Sequence, residues 1–102
     1  MIKILIVDDH SFVREGIKYV LKNYPDIKVV GEASSGQEAL EKAKHEDYDV
    51  IVLDITMPGK SGLEVLKDIK RLYPKLPVLI LSMHPEDQFG IRILQAGAAG
   101  YI

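Results

Sequence analysis

The chain of 102 residues contains no cysteine, which excludes disulfide bonds and thiolate metal sites. It also has no strong excess of either charge: the formal net charge is −2 at pH 7, which gives no general reason to bind nucleic acid or an anionic membrane. No apolar run approaches the roughly 20 residues of a membrane-spanning helix, and the short segment after Met1 lacks the longer apolar region of a signal peptide. These absences predict a soluble, cytoplasmic protein.

The composition is that of an ordinary globular domain, with 47% hydrophobic and 27% charged residues. A chain of this length fits one domain, which buries roughly 60–65% of its unfolded surface in a single core. No internal repeat, low-complexity tract or linker divides the sequence. We therefore expect one domain over residues 1–102.

Strand-like and helix-like patterns alternate along the chain. Short apolar runs predict five strands, at residues 2–7, 27–33, 50–54, 77–82 and 99–102. Ser11 is placed to cap the first helix, and Ser35 and Ser61, each followed three residues later by glutamate, predict capping boxes for the next two. Pro85 suits the first turn of a fourth helix and Gly97 its end. This alternation predicts a mostly parallel sheet with helices on both faces.

Acidic and hydroxyl side chains stand where the predicted strands end. Asp8 and Asp9 follow the first strand. Asp54 ends the third strand and Ser82 the fourth. The carboxyl ends of parallel strands meet at one edge of the sheet, where ligands bind, so these side chains are expected to converge. Three carboxylates repel one another, and oxygen ligands suit Mg²⁺, so a bound cation is the expected compensation. The alternative is that the acids are solvated or cap the following helices.

Other phosphate-binding motifs are incomplete. The GKS at 59–61 resembles the end of a P-loop, but the position of the required first glycine holds Asp54, and no G-x-G-x-x-G occurs. The DIT at 54–56 shares the first acid of the D-x-D-x-T motif of haloacid-dehalogenase-type phosphatases, but Thr56 stands in place of the second acid. Neither nucleotide binding nor that phosphatase chemistry is expected.

Four segments together resemble a response-regulator receiver domain: IKILIVDDH, VIVLDITMPGKSGLE, VLILSMH and AGAAGY. The DDH, SMH and GAAGY phrases are most similar to regulators of the NarL/FixJ (LuxR) type, and the resemblance runs from Ile2 to the last residue. It implies an α/β, flavodoxin-like (CheY-like) doubly wound parallel sheet with strand order 2-1-3-4-5. It also implies a signalling switch of a two-component system rather than an enzyme.

The resemblance implies a role for each acid. Asp54 would be the phosphoacceptor, whose carboxylate attacks the phosphoryl group of a histidine kinase's phosphohistidine. Asp9 would ligate Mg²⁺ directly, and Asp8 would assist through water. The metal would also contact Asp54 and the backbone carbonyl of Thr56.

Other residues would report or tune phosphorylation. Ser82 would hydrogen-bond the phosphoryl group, and Tyr101 would be the switch aromatic that swings inward when Ser82 moves. The plainer interpretations are a strand-end hydroxyl and a half-buried strand aromatic. Thr56 and His84 stand where family members tune the lifetime of the acyl phosphate, although for His84 a simple loop role is the favoured interpretation. His10 and His45 show no partner at metal-ligand spacing.

The end of the chain departs from the family pattern. The family's lysine, three residues after the switch aromatic, would fall at position 104, beyond Ile102. We expect a receiver truncated at the fifth strand, without its final helix and without the DNA-binding output domain. The expected partners are a histidine kinase, DNA through that absent domain, and a second copy across an uncovered sheet face beside the first helix. The alternative function is a structural half-domain that self-associates without a competent switch.

Overall fold

The computed structural model describes residues 1–54, 62–81 and 97–101. For residues 100 and 101 it describes the backbone alone. The described elements follow one another as β1 (Ile2–Val7), α1 (Ser11–Leu21), β2 (Ile27–Ala33), α2 (Gly36–His45), β3 (Val50–Asp54), α3 (Gly62–Leu72), β4 (Val78–Leu81) and β5 (Gly100–Tyr101). All five predicted strands are confirmed, with β4 and β5 each beginning one residue later than expected. None of these three helices is long and apolar enough to cross a membrane.

The strands form one parallel sheet in the order β2-β1-β3-β4-β5. The central strands β1 and β3 pair directly, with Ile6 opposite Val52, and Leu53 of β3 lies opposite Ile80 of β4. The predicted doubly wound sheet and its strand order 2-1-3-4-5 are therefore confirmed. In this order the chain switches direction across the sheet between β1 and β3, which is the place where open α/β sheets bind ligands.

Side chains alternate between the two faces of the sheet because successive strand residues point to opposite sides. On one face α2 and α3 cover a large buried cluster, Leu5, Val7, Ala33, Ala39, Tyr48, Ile51, Leu53, Val65, Leu66, Ile69, Val78 and Ile80. On the other face α1 packs with Ile17 and Leu21 onto a smaller cluster, Ile4, Ile6 and Val52. Burial of each aliphatic side chain contributes about 1.5–3 kcal/mol. Most of the hydrophobic stabilisation therefore comes from the α2–α3 face.

Helix α1 is covered on one side only. None of its residues is fully buried, and the exposed fractions of Phe12, Tyr19 and Val20 are 87%, 74% and 60%. The strand residues beneath it are covered, since Ile4 and Val52 are each 7% exposed. Exposed apolar surface is thus present at the first helix, on the side chains of α1 itself, while Val50 and Leu81 of the sheet are half-buried on the same side.

The helix starts test the predicted caps. At α2, Oγ of Ser35 accepts a hydrogen bond from the backbone N–H of Glu38 at 3.1 Å. The Glu38 carboxylate accepts in turn from the backbone N–H of Ser34 at 2.6 Å, so the N-cap is confirmed, although the return bond reaches one residue further back than in a standard capping box. The prediction that Ser11 caps α1 is wrong, because the helix already begins at Ser11 and its N-cap is His10, which makes no side-chain cap hydrogen bond.

The predicted third cap and fourth helix fall mostly on residues that the structure does not describe. The cap at Ser61 and the helix expected to begin at Pro85 lie outside the described residues. Gly97, expected at the end of that helix, has a φ of 107°. Glycine adopts this left-handed conformation without the steric cost that a Cβ imposes, which agrees with a helix C-terminal position.

Two helical glycines with opposite surroundings give a test of the packing. A Cβ on Gly36, the first residue of α2, would overlap Cγ2 of the buried Val65 on α3, whereas a Cβ on Gly16 of α1 would meet no heavy atom within 4 Å. Val65 is β-branched and held in the core, so it has little room to yield. We expect Gly36→Ala to lower the free energy of unfolding by about 1–3 kcal/mol. We expect Gly16→Ala to raise it by about 0.5–1 kcal/mol.

Urea denaturation followed by circular dichroism would measure both glycine variants. The two substitutions add the same methyl group to a helix, so helix propensity alone would shift them in the same direction. Shifts of the same sign would contradict the close contact between α2 and α3.

Candidate functional site

The acids predicted at the strand ends come together in the structure. Asp8 lies just past β1 and is 2% exposed, and Asp54 is the last residue of β3 and 4% exposed. With Asp9 and His10 they form a group in which one potential ligand atom from each residue lies within 4.8 Å of the others. We call these four residues the acidic site. Their convergence follows from the direct pairing of β1 with β3.

Asp8 is fixed by both its backbone and its side chain. Its N–H donates to the carbonyl of Ala33 at 2.9 Å, which extends the β1–β2 pairing by one residue. Its Oδ1 accepts from the backbone N–H of His10 at 2.8 Å and lies 3.0 Å from Nδ1 of the same residue. Burial raises the pKa of the Asp8 carboxyl above its ordinary value of 3.8; the His10 hydrogen bonds oppose this rise, and the negative charge of Asp54 adds to it. Among the described contacts, the hydrogen bonds from His10 therefore do not offset the effect of burial on the Asp8 carboxyl.

His10 belongs to the acidic site, contrary to the expectation that it has no partner at metal-ligand spacing. Its Nδ1 lies 3.0 Å from Oδ1 of Asp8 and 3.0 Å from Oδ1 of Asp9. The hydrogen bond with Asp8, and then the charge of Asp9, raise the pKa of His10 above its ordinary value of 6.5. Spacing rules for helices and strands do not apply here, because Asp8, Asp9 and His10 form the short connection between β1 and α1. The usable signal was adjacency, a histidine directly after two aspartates. His45 lies elsewhere, beside Glu41 on α2.

The donor set fits the Mg²⁺ that the family resemblance implies. Oδ1 of Asp9 is buried and makes no hydrogen bond to any residue that the structure describes, its approach to His10 being an ion-pair contact only. A buried carboxylate oxygen without a hydrogen bond is costly, and Mg²⁺ takes one or two such carboxylates together with waters or phosphate oxygens. The residues present therefore suit a small divalent cation with oxygen ligands.

A second polar network lies behind the acidic site. Nη1 of Arg14, on α1, donates to the backbone carbonyl of Asp8, and Nε donates to Oε1 of Glu32 on β2 at 3.0 Å. Lys18 donates to Oε2 of the same glutamate at 3.0 Å and pairs with Glu15 at 2.6 Å. The sequence reasoning missed both Arg14 and Glu32. The available signal was an acid near the carboxyl end of a largely apolar strand, which needs a cationic partner from the helix above it.

Several predicted site residues, or their side chains, lie outside the part of the chain that the structure describes. Thr56, Ser82 and His84 lie outside the described residues. Tyr101 lies on β5 with its backbone paired to Ile80, and its side chain is outside the description. The roles expected for these residues stay predictions.

Comparison with known proteins gives the family of this fold and site. Residues 4–102 match the family described as response regulator receiver domain. The chain belongs to this receiver family. The response regulator GacA of Pseudomonas syringae pv. syringae (strain B728a) is 46% identical over 102 residues, which cover 100% of this chain and 48% of GacA. The receiver thus spans about half the length of the curated relatives it matches.

Solved receiver structures share the fold. A two-component response regulator of the LuxR family from Aurantimonas sp. SI85-9A1 has a TM-score of 0.92 and 35% identity, covering 97% of this chain and 71% of that one. The isolated REC domain of RcsB from Salmonella enterica serovar Typhimurium, solved with the phosphomimetic BeF3−, has a TM-score of 0.92 and 28% identity, covering 99% of this chain and 75% of that one. The predicted family and its fold are therefore confirmed.

The Glu32 network predicts an acid-sensitive contribution to stability. Hydrogen bonds from Lys18, and then from Arg14, hold the pKa of Glu32 below its ordinary value of 4.5. A carboxyl whose pKa falls on folding stabilises the folded state above its unfolded pKa, and the contribution disappears as the pH falls through the folded pKa. We expect Glu32→Gln to lower the melting temperature at neutral pH, and the difference from the wild type to shrink as the pH falls below 4.5.

Thermal melts at a series of pH values would test this linkage. Glu41→Gln is the matched control, because Glu41 is paired with His45 on the exposed side of α2 and should change the melting temperature little at any pH. A Glu32→Gln effect that stays constant from neutral to acidic pH would contradict the linkage.

Proposed function

We propose that this receiver accepts a phosphoryl group on Asp54 from the phosphohistidine of a histidine kinase. Mg²⁺ would be held by Asp8, Asp9, Asp54 and the backbone carbonyl of Thr56. The observation that carries the proposal is the acidic site, in which the buried carboxylate at the end of β3 lies beside two further acids from the end of β1. Membership of the receiver family supports it.

The proposed reaction is a displacement at phosphorus. A carboxylate oxygen of Asp54 forms the new bond to phosphorus, and the bond between phosphorus and the imidazole nitrogen of the kinase breaks. The electron pair leaves with that nitrogen, which takes up a proton. Phosphoryl transfer depends on alignment and charge stabilisation more than on acid–base catalysis, and Mg²⁺ held by these residues would neutralise charge on the phosphoryl oxygens. The protein's own part is to hold the buried Asp54 at a fixed strand end, beside Asp8 and Asp9.

Read-out of phosphorylation would pass through Ser82 and Tyr101. The strand pairing supports this part of the proposal: Leu81, the residue before Ser82, lies opposite Asp54, and Ile80 lies opposite Tyr101. In the sequence, the Ser82 hydroxyl thus belongs to the residue directly after Leu81, the partner of Asp54 in the β3–β4 pairing. A hydrogen bond from Ser82 to the new phosphoryl group would move the end of β4, beside which the Tyr101 backbone lies.

The partners of the whole protein are also proposals. We propose that a histidine kinase phosphorylates the receiver in the cytoplasm and that control of transcription is exerted through a DNA-binding output domain outside residues 1–102. The relatives support this reading: one solved match is a LuxR-family regulator, and RcsB has been solved bound to the promoter rprA. The alternative function, a structural half-domain without a competent switch, is not favoured, because the receiver match runs over residues 4–102 and the acids lie together.

Phosphorylation by a small donor would test the proposed function. Incubation with Mg²⁺ and acetyl phosphate should add the mass of one phosphoryl group, read by intact mass spectrometry, and chelation of Mg²⁺ beforehand should prevent the adduct. Asp54→Asn should abolish it, because the amide is a poor nucleophile. Asp49→Asn, just before β3 at the opposite edge of the sheet, is the matched control.

The control keeps its structural contact. Oδ2 of Asp49 accepts from the backbone N–H of Lys3 at 2.7 Å, and an asparagine oxygen can accept the same bond. Asp49→Asn should therefore be phosphorylated as the wild type is. A wild-type protein without an adduct, or an adduct that survives Asp54→Asn, would refute Asp54 as the phosphoacceptor.

Self-association is a separate proposal. The exposed Phe12 and Tyr19 on α1 form apolar surface that a second copy of the chain would cover. We expect dimers or larger species by light scattering at high concentration, and a shift toward monomer in Tyr19→Ser. A monomer at all concentrations would contradict this expectation.

A further inference from the structure

The turn between β1 and α1 carries two of the acids that the proposed function needs. β1 ends at Val7 and α1 begins at Ser11, so Asp8, Asp9 and His10 alone connect them. The peptide between Asp8 and Asp9 is planar and rigid, so the direction of its carbonyl fixes the orientation of both flanking Cα atoms. Whatever holds that carbonyl therefore restrains the backbone from which both carboxylates project.

Arg14 holds this carbonyl. Its Nη1 donates to the backbone oxygen of Asp8, while its Nε donates to Oε1 of Glu32. The side chain of Arg14 is only 18% exposed, and its partner Glu32 is held from the other side by Lys18. Hydrogen bonds with an ionised donor are stronger than neutral ones, and the planar guanidinium fixes the angle between its two acceptors. The contact joins α1, β2 and the turn in one rigid unit.

We propose that Arg14 is a positioning residue for the acidic site: by fixing the Asp8–Asp9 peptide it directs both carboxylates toward the cation. The inference rests on the proposed function. Arg14 does not contact the reacting atoms, and its effect is exerted through the backbone of Asp8. Glu32 completes the arrangement by orienting the guanidinium.

Lys18 provides a matched control for this role. Both cations lie on α1 and both donate to Glu32, but among the contacts that the structure describes Arg14 reaches the Asp8 carbonyl and Lys18 reaches Glu15 instead. Arg14→Gln and Lys18→Gln each remove one positive charge and one contact to the glutamate. A purely structural role of the α1–β2 ion pairs would therefore affect both variants alike.

The first experiment measures metal affinity. Mn²⁺, which shares the oxygen preference of Mg²⁺, would be titrated into each protein and followed by electron paramagnetic resonance of the free ion. Loss of a residue that orients a metal ligand costs about 10–100-fold in affinity, and we expect this loss for Arg14→Gln. Lys18→Gln should bind Mn²⁺ as the wild type does. Arg14→Lys, whose single ammonium group cannot reproduce the two fixed contacts, should give an intermediate affinity.

The second experiment needs no metal. The backbone N–H of His10 donates to Oδ1 of Asp8, so its hydrogen exchange reports the order of the turn. We expect faster exchange at His10 in Arg14→Gln and an unchanged rate in Lys18→Gln, with exchange at the core residue Leu53 unchanged in both. Should Arg14→Gln fail to fold, Arg14→Lys carries both measurements.

The outcomes separate this inference from the proposed function. Equal Mn²⁺ affinities for Arg14→Gln and the wild type would overturn the inference, as would equal losses in Arg14→Gln and Lys18→Gln. A wild-type protein that binds no Mn²⁺ would overturn the proposed function and the inference with it. Slow exchange at His10 in Arg14→Gln would show that the turn is ordered without the arginine, and this too would overturn the inference.

Discussion

Repulsion between carboxylates at one edge of the sheet is the constraint on which the local structure depends. Two unit charges about 4 Å apart repel by about 4 kcal/mol at an effective dielectric constant of about 20, so three neighbouring acids, two of them buried, cannot share an edge without compensation. Here Asp8 and Asp54 are nearly inaccessible to water. His10 supplies one compensating group, with Nδ1 between the oxygens of Asp8 and Asp9. Arg14 contacts the backbone of Asp8 instead of a carboxylate. The negative charge that remains on the acids suits a divalent cation.

The two faces of the sheet divide stability and function between them. The α2–α3 face holds most of the buried aliphatic side chains, whereas α1 contributes only two partly buried residues to its side. Asp54 continues the alternation of Val50 and Val52, which places it on the α1 side of the sheet. The acidic site is thus built where the hydrophobic core is thinnest. The polar contacts of α1 with Asp8 and Glu32 supply attachment there that apolar packing does not.

Periodic features of the fold were predictable from the sequence, and contacts made in turns were not. Apolar runs with a two-residue repeat predict the strands. The parallel direction and the order of those strands then bring Asp8 and Asp54 to one edge of the sheet. The contacts of His10 were not predicted, because they arise in the short connection between β1 and α1, where no periodic pattern applies. The role of Arg14 was not predicted, because its key acceptor is a backbone carbonyl, which the pattern of side chains along the sequence does not reveal. The Ser11 cap failed since α1 begins one residue earlier than the serine implied.

Charge changes at the acidic site give the proposed switch its driving force. Phosphorylation would replace the single negative charge of the Asp54 carboxylate with about two on the phosphoryl group. A divalent cation that balances the acids before the reaction therefore leaves an excess of negative charge after it, and the positive charge favoured at His10 is already engaged by Asp8 and Asp9. New donors must approach the phosphoryl oxygens from the other side of Asp54, which is the β4 side of the sheet. In the proposed switch, a hydroxyl that follows β4 in the sequence, as Ser82 does, would meet that need without adding a charge that has to be buried before phosphorylation.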